Sequence, residues 1–192
     1  MPSLAVDACA LLHAKQLPSS DESALAVLDA LLEQGVSLLH TSVIEQQCRT
    51  MTLAAFLDDW DGAGRFHHTN AKLTERRQVK NALHRSDKIP GDSDIDLIAV
   101  ARRCGCPLLT HDEAAAVAAR RNGVYTFDLV DLGHVLVLKG WRTWEWVDQR
   151  LAGFDSYSWR PDDWDATASK TALSRPAPDR FERRVSDWLV RP

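Results

Sequence analysis

Four short apolar runs, residues 3–6, 36–40, 107–110 and 124–127, alternate with longer stretches of helical periodicity. Runs this short, flanked by helix and turn signals, read as strands. Strands that alternate with helices favour a parallel sheet joined by right-handed crossovers. A helix is expected to start over residues 8–14. A second follows the capping triplet Asp21-Glu22-Ser23, with Leu25, Leu28, Leu31 and Leu32 to bury and Gly35 to stop it. A third is capped by Thr41 or Ser42 and carries Ile44, Cys48, Met51, Ala55 and Phe56 on one side. Residues 61–64 and the pair His67-His68 read as loop. Further helices are expected over 71–85, 92–104, 112–121 and 129–138. The fold class is therefore α/β, a central parallel sheet flanked by helices over residues 1–138, followed by an extension over 139–192.

That extension differs in character. All the tryptophans except Trp60 lie in it, and Pro161, Pro176, Pro178 and Pro192 interrupt it. It reads as irregular chain ending in a short helix over 179–189. Its tryptophans suit packing onto the main domain, a partner interface or stacking on nucleic-acid bases.

The net charge of −4 argues against a broad duplex-binding surface, so any nucleic-acid contact needs a local basic patch. The four cysteines (Cys9, Cys48, Cys104, Cys106) lack the spacing of a zinc knuckle or redox pair and read as reduced thiols. No apolar run approaches the roughly 20 residues of a membrane span. Asp7 interrupts the first apolar stretch and no basic segment precedes it, so a secretory signal is not expected and the cytoplasm is.

Carboxylates recur at the ends of these elements. Asp7 follows the first strand, and Glu45 sits one turn into a helix start, Thr41-Ser42-Val43-Ile44-Glu45. Asp94 precedes Ile98-Ala99 in the helix after Gly91, and Asp112 closes Leu108-Leu109-Thr110-His111-Asp112. Ligands of open parallel sheets bind beyond the carboxyl ends of the strands, where Asp7 and Asp112 fall. Magnesium and manganese favour oxygen ligands in octahedral geometry. Two such ions about 4 Å apart hold the attacking and leaving oxygens of a phosphodiester. A single aspartate after a strand is commonly only a helix cap. The four together, in this order, carry the metal reading.

Asp92 and Asp96 compete with Asp94. On a helix they are four residues apart and share a face, while Asp94 points about 200° away from Asp92. Register with Ile98 and Ala99 favours Asp94. Asp96 and Thr110 are then candidates to support the ligands from behind.

The motifs LAVD, TSVIE, GDSDIDLIAVA and LLTHD resemble those of the PIN-domain family of metal-dependent ribonucleases, which includes VapC-type toxins. The resemblance spans about residues 3–130. It implies Mg2+ or Mn2+ held by Asp7, Glu45, Asp94 and Asp112, water attack on RNA, a neutralising antitoxin protein in the toxin branch, and a homodimer. The extension departs from the family pattern. A phosphohydrolase of the kind that wants D-x-D after its first strand is not matched by Asp7-Ala8-Cys9. A non-cleaving scaffold that binds RNA or protein through its extension is the alternative.

Lys72, Arg76, Lys80, His84 and Lys88 recur every fourth residue. On a helix they form a slowly rotating positive band, suited to RNA phosphates or simply to solvent. Lys72, Arg76 and Lys80 are the candidate RNA contacts.

Overall fold

The computed structural model describes residues 1–16, 25–50, 53–84, 89–151 and 179–190. Five strands form one parallel sheet: β1 (Ser3–Val6), β2 (Ser37–His40), β3 (Phe66–His68), β4 (Leu108–Leu109) and β5 (Thr126–Phe127). Their spatial order is β3-β2-β1-β4-β5. Ala5 is the hub of the register, opposite Leu39 on one side and Leu108 on the other. Leu4, Ala5 and Val6 are fully buried, as a central parallel strand covered on both faces must be.

The chain steps outward from β1 to β3, then returns to the far side of β1 for β4 and β5. Right-handed crossovers reverse faces at such a return. Helices α1 (Ala8–Gln16), α2 (Leu25–Glu33), α3 (Ser42–Thr50) and α4 (Ala54–Gly62) accordingly pack with one another. So do α5 (Leu73–Asn81), α6 (Asp92–Cys104) and α7 (Glu113–Arg121). The last main-domain helix, α8 (Leu129–Leu138), rejoins α2. The strand order reverses between β1 and β4, and open parallel sheets bind ligands in the crevice beyond the carboxyl ends of the strands at such a point.

Four sequence expectations change. His67-His68 is not loop but most of β3, an edge strand whose two imidazoles are exposed. Three residues with outward histidines show no apolar run, which is why the strand was hidden. The single helix expected from Ser42 through Phe56 is two. Leu53 N–H donates to Cys48 O at 3.2 Å, and α4 then buries Leu53, Leu57 and Trp60 in a new phase. Met51 and the Phe56 side chain lie outside the described residues. The helix expected over 71–85 is shorter, ending at Asn81. The segment after residue 139 is not wholly irregular, because α9 (Trp144–Leu151) packs on α8 and α2. The cap at residues 21–23 and Trp159 and Trp164 lie outside the described residues.

The final helix, α10 (Asp179–Val190), was expected and places Phe181, Val185 and Trp188 in the same core cluster as the sheet. Trp188 Nε1 donates to Ser3 O at 2.7 Å, and its ring lies 5.3 Å from Phe127.

Candidate metal centre

Each candidate carboxylate is placed by the end of an element. Asp7 follows β1 directly and is only 4% exposed. Its Oδ2 accepts a hydrogen bond from Thr110 Oγ1 at 2.8 Å, and its Oδ1 accepts the Cys9 N–H at 3.3 Å. Thr110 follows β4 and is also buried. Its hydroxyl oxygen in turn accepts the Asp112 N–H at 3.1 Å. The two strand ends that border the crevice are thus linked through one threonine.

Asp112 is the N-cap of α7: its Oδ1 accepts from Ala115 N–H at 2.8 Å. Asp94 lies in the first turn of α6 and reaches back, Oδ2 accepting the Gly91 N–H at 2.8 Å. Gly91, rather than Asp92 or Ser93, is the N-cap of that helix. A Cβ on Gly91 would stand 3.2 Å from Asp94 Oδ2, so the glycine allows the carboxylate its close approach. Asp94 and Asp112 each use one oxygen to cap their own helix, and the other meets no donor among the described residues.

The electrostatics bind the three together. Burial pushes the Asp94 carboxyl up to about 6, and the negative charges of Asp7 and Asp112 add to the shift. Burial also raises Asp7, against the Thr110 hydrogen bond, with Asp112 repulsion on the same side. Among the described residues, no Lys, Arg or His side chain pairs with Asp7, Asp94 or Asp112.

The other acids stand differently. Because α6 begins at Asp92, Asp92 and Asp96 face α5, away from Asp94. Asp92 Oδ1 lies 2.8 Å from Lys80 Nζ, and that ammonium draws its carboxyl below the usual range. Asp96 Oδ1 lies 2.7 Å from Arg76 Nε, a close contact misaligned for a hydrogen bond. Burial outweighs the arginine and raises Asp96. Asp96 therefore supports the α5–α6 seam and does not touch the three aspartates. Arg76 and Lys80 are engaged in the same seam, so of the band's candidates Lys72 alone has no ion pair among the described residues. Lys88 lies outside them.

Glu45 is on α3, and its carboxylate is held by Arg49 Nε at 3.0 Å, which also binds Asp58 at 2.9 Å. His40 Nδ1 is 3.9 Å from its other oxygen. Burial pushes the His40 imidazole down, so it is a neutral neighbour at ordinary pH. Burial pushes the Cys48 thiol up to about 12, and the charges of Asp7 and Glu45 add to the shift. The structure thus brings Asp7, Asp94 and Asp112 together and leaves Glu45 to one side.

The donor set fits a hard divalent cation. Asp7, Asp94 and Asp112 feel one another's charge, no cation among the described residues offsets it, and oxygen ligands are what Mg2+ and Mn2+ take. Among the described residues no group of three or more His, Cys, Asp or Glu side chains is gathered closely enough to hold a metal ion as it stands. Magnesium retains several waters and needs only a few direct ligands.

Two groups escaped the sequence reading. Asn70 caps α3 from a distant loop, and Arg103 clamps that loop. Neither sits in a recognisable motif. No family model matches the chain. No curated protein matches it significantly.

Proposed function

We propose that the protein is a metal-dependent endoribonuclease of the PIN-domain type, hydrolysing RNA phosphodiester bonds. The observation that carries this is the sorting of the acids. Asp92, Asp96 and Glu45 have basic partners, while the three aspartates at the switch point have none among the described residues. An unpaired acidic group at that place in a parallel sheet is a demand for a cation.

Asp7, Asp94 and Asp112 would hold Mg2+ or Mn2+, with Glu45 completing the set directly or through water. Such an ion supplies charge neutralisation at the phosphate and activation of water. Asp7 is the fixed member, its Oδ2 held by Thr110. Asp94 and Asp112 orient their unbonded oxygens by capping helices. The Glu45 carboxylate, partly exposed beside His40, would orient a water or take its proton. Lys72, with Lys80 after release of exposed Asp92 and Arg76 after release of half-buried Asp96, would offer contacts to the RNA backbone. The toxin role, an antitoxin partner, a homodimer and a cytoplasmic setting belong to this same reading. Among the described residues no helix is long and apolar enough to cross a membrane.

The test is Mn2+-dependent cleavage of labelled RNA by the wild type, Asp7→Asn and Asp94→Asn. The expected loss in each variant is at least about 100-fold, the scale on which removing a key electrostatic group acts. No cleavage by the wild type, or normal cleavage by both variants, sinks the reading and leaves the non-cleaving scaffold.

A further inference from the structure

The four candidate acids sit on separate elements, and Glu45 is on α3, which packs on α1 and α4. The first turn of α3 has a further tie. It presents backbone N–H groups that no intrahelical carbonyl can satisfy. Thr41, the residue before the helix, takes one: its Oγ1 accepts the Ile44 N–H at 3.4 Å. The Ser42 N–H is taken from far along the chain. Asn70 Oδ1 accepts it at 3.1 Å and accepts the Ser42 Oγ hydroxyl at 3.1 Å as well.

Asn70 is itself held. Arg103 Nη1 donates to the Asn70 carbonyl at 3.2 Å, and Arg103 Nη2 donates to Thr69 Oγ1 at 2.7 Å. Glu75 fixes the guanidinium at 2.9 Å and also accepts the Lys72 N–H at 2.7 Å. Arg103 belongs to α6, the helix whose first turn carries Asp94. The Arg76–Asp96 and Lys80–Asp92 contacts lock α5 to that same helix. The loop at 69–72 is therefore an outrigger of α6 and not a free connection.

We infer that Asn70 is a positioning residue for Glu45: its side-chain amide ties the first turn of α3 to the loop that Arg103 anchors on α6, and so sets Glu45 relative to Asp94. Glu45 lies one turn beyond Ser42, its own N–H bonded to Thr41 O at 2.9 Å, so a shift of the first turn carries it along. The inference rests on the nuclease reading, since it assigns Asn70 a task only if Glu45 has one. An error of about 1 Å in a reacting group costs on the order of 100-fold in rate, so a tether of this kind affects turnover without touching RNA.

The chemistry of the tether sets the test. An aspartate at position 70 accepts both hydrogen bonds and adds a charge that the helix N-terminus favours, whereas alanine accepts neither. Asn70 is exposed, so neither change threatens folding, and melting midpoints verify that. With Mn2+ and labelled RNA, Asn70→Ala is expected to lower kcat roughly five- to tenfold with KM within about twofold, and Asn70→Asp to stay within about twofold of wild type. In a Glu45→Gln background, Asn70→Ala is expected to cost nothing more, because both act through one carboxylate. Exchange of the Ser42 amide should speed up in Asn70→Ala and be restored in Asn70→Asp. Equal kcat losses in the alanine and aspartate variants overturn the inference. So does a loss that multiplies with Glu45→Gln, or an unchanged Ser42 amide. A wild type that does not cleave overturns the nuclease reading and this assignment with it; a cleaving wild type with an indifferent Asn70 overturns the assignment alone.

Discussion

At the scale of single residues, Asp94 and Thr110 make opposite statements about stability. A carboxyl whose pKa rises on folding binds more protons folded than unfolded. Folding stability therefore falls as pH rises from about 4, its unfolded value, to the folded value of about 6. Without metal, Asp94→Asn is expected to stabilise the protein at pH 7–8 by about 1 kcal/mol, after allowance for solvent screening of a partly exposed site. The gain should vanish near pH 4, and urea titrations at the two pH values read it. A gain at pH 4 equal to that at pH 8 contradicts the assigned origin. Thr110 works the other way, since its hydroxyl donates to buried Asp7 at 2.8 Å. Thr110→Val keeps the shape but strands a buried carboxylate, at a cost of about 1–3 kcal/mol, while Thr110→Ser keeps the bond. Chemical denaturation of the pair should separate them clearly; equal midpoints would show that the hydrogen bond carries no stability.

At the scale of elements, the contact between α8 and α9 is the most sharply constrained. A Cβ on Gly133 would meet Val147 Cγ1 at 2.7 Å and Leu151 Cδ1 at 3.2 Å. Gly133→Ala is therefore expected to push α9 away, costing about 1–3 kcal/mol despite the better helix propensity of alanine. A thermal melt measures it, and an unchanged or raised midpoint would show that α9 yields freely. This seam also shows what the sequence could and could not reveal. β1, β2, β4 and β5 were legible because a fully buried parallel strand must be an unbroken apolar run. β3 was not, because an edge strand of Phe66 and two exposed histidines has no such run. The break between α3 and α4 was hidden for a related reason: the apolar spacing from Ile44 to Phe56 suits one helix as well as two. α9 was masked by its tryptophans and charges, whose burial depends on α8 being there to receive them. Asp7, Asp94 and Asp112 were legible through their places at element ends. The pairing of Arg76 with Asp96 was not, since it depends on how far α5 and α6 lie apart in space, whereas Glu45 and Arg49 are neighbours one turn apart on α3.

At the scale of the whole molecule, the proposed metal centre ties stability to a divalent ion. The net charge is −4, and among the described residues the three switch-point aspartates have no cation while the other named acids do. Their repulsion is present only in the folded chain, because unfolding separates Asp7 from Asp94 and Asp112. A divalent cation that binds there binds the native state alone, and must raise its stability by mass action. With Mn2+ at about 100 times its dissociation constant the gain is about 2.7 kcal/mol. For a chain of this length that is a rise of roughly 5–10 °C in melting midpoint. Asp7→Asn or Asp112→Asn should remove most of the rise, since each takes away a charge and a ligand. Asp92→Asn should leave it intact, because that carboxylate already has Lys80. Raising ionic strength with NaCl screens exposed pairs such as Lys80–Asp92 but cannot supply a ligated ion, so it should not reproduce the Mn2+ effect. A melt in which Asp92→Asn loses the rise and Asp7→Asn keeps it would reverse the sorting of the acids on which the metal centre stands.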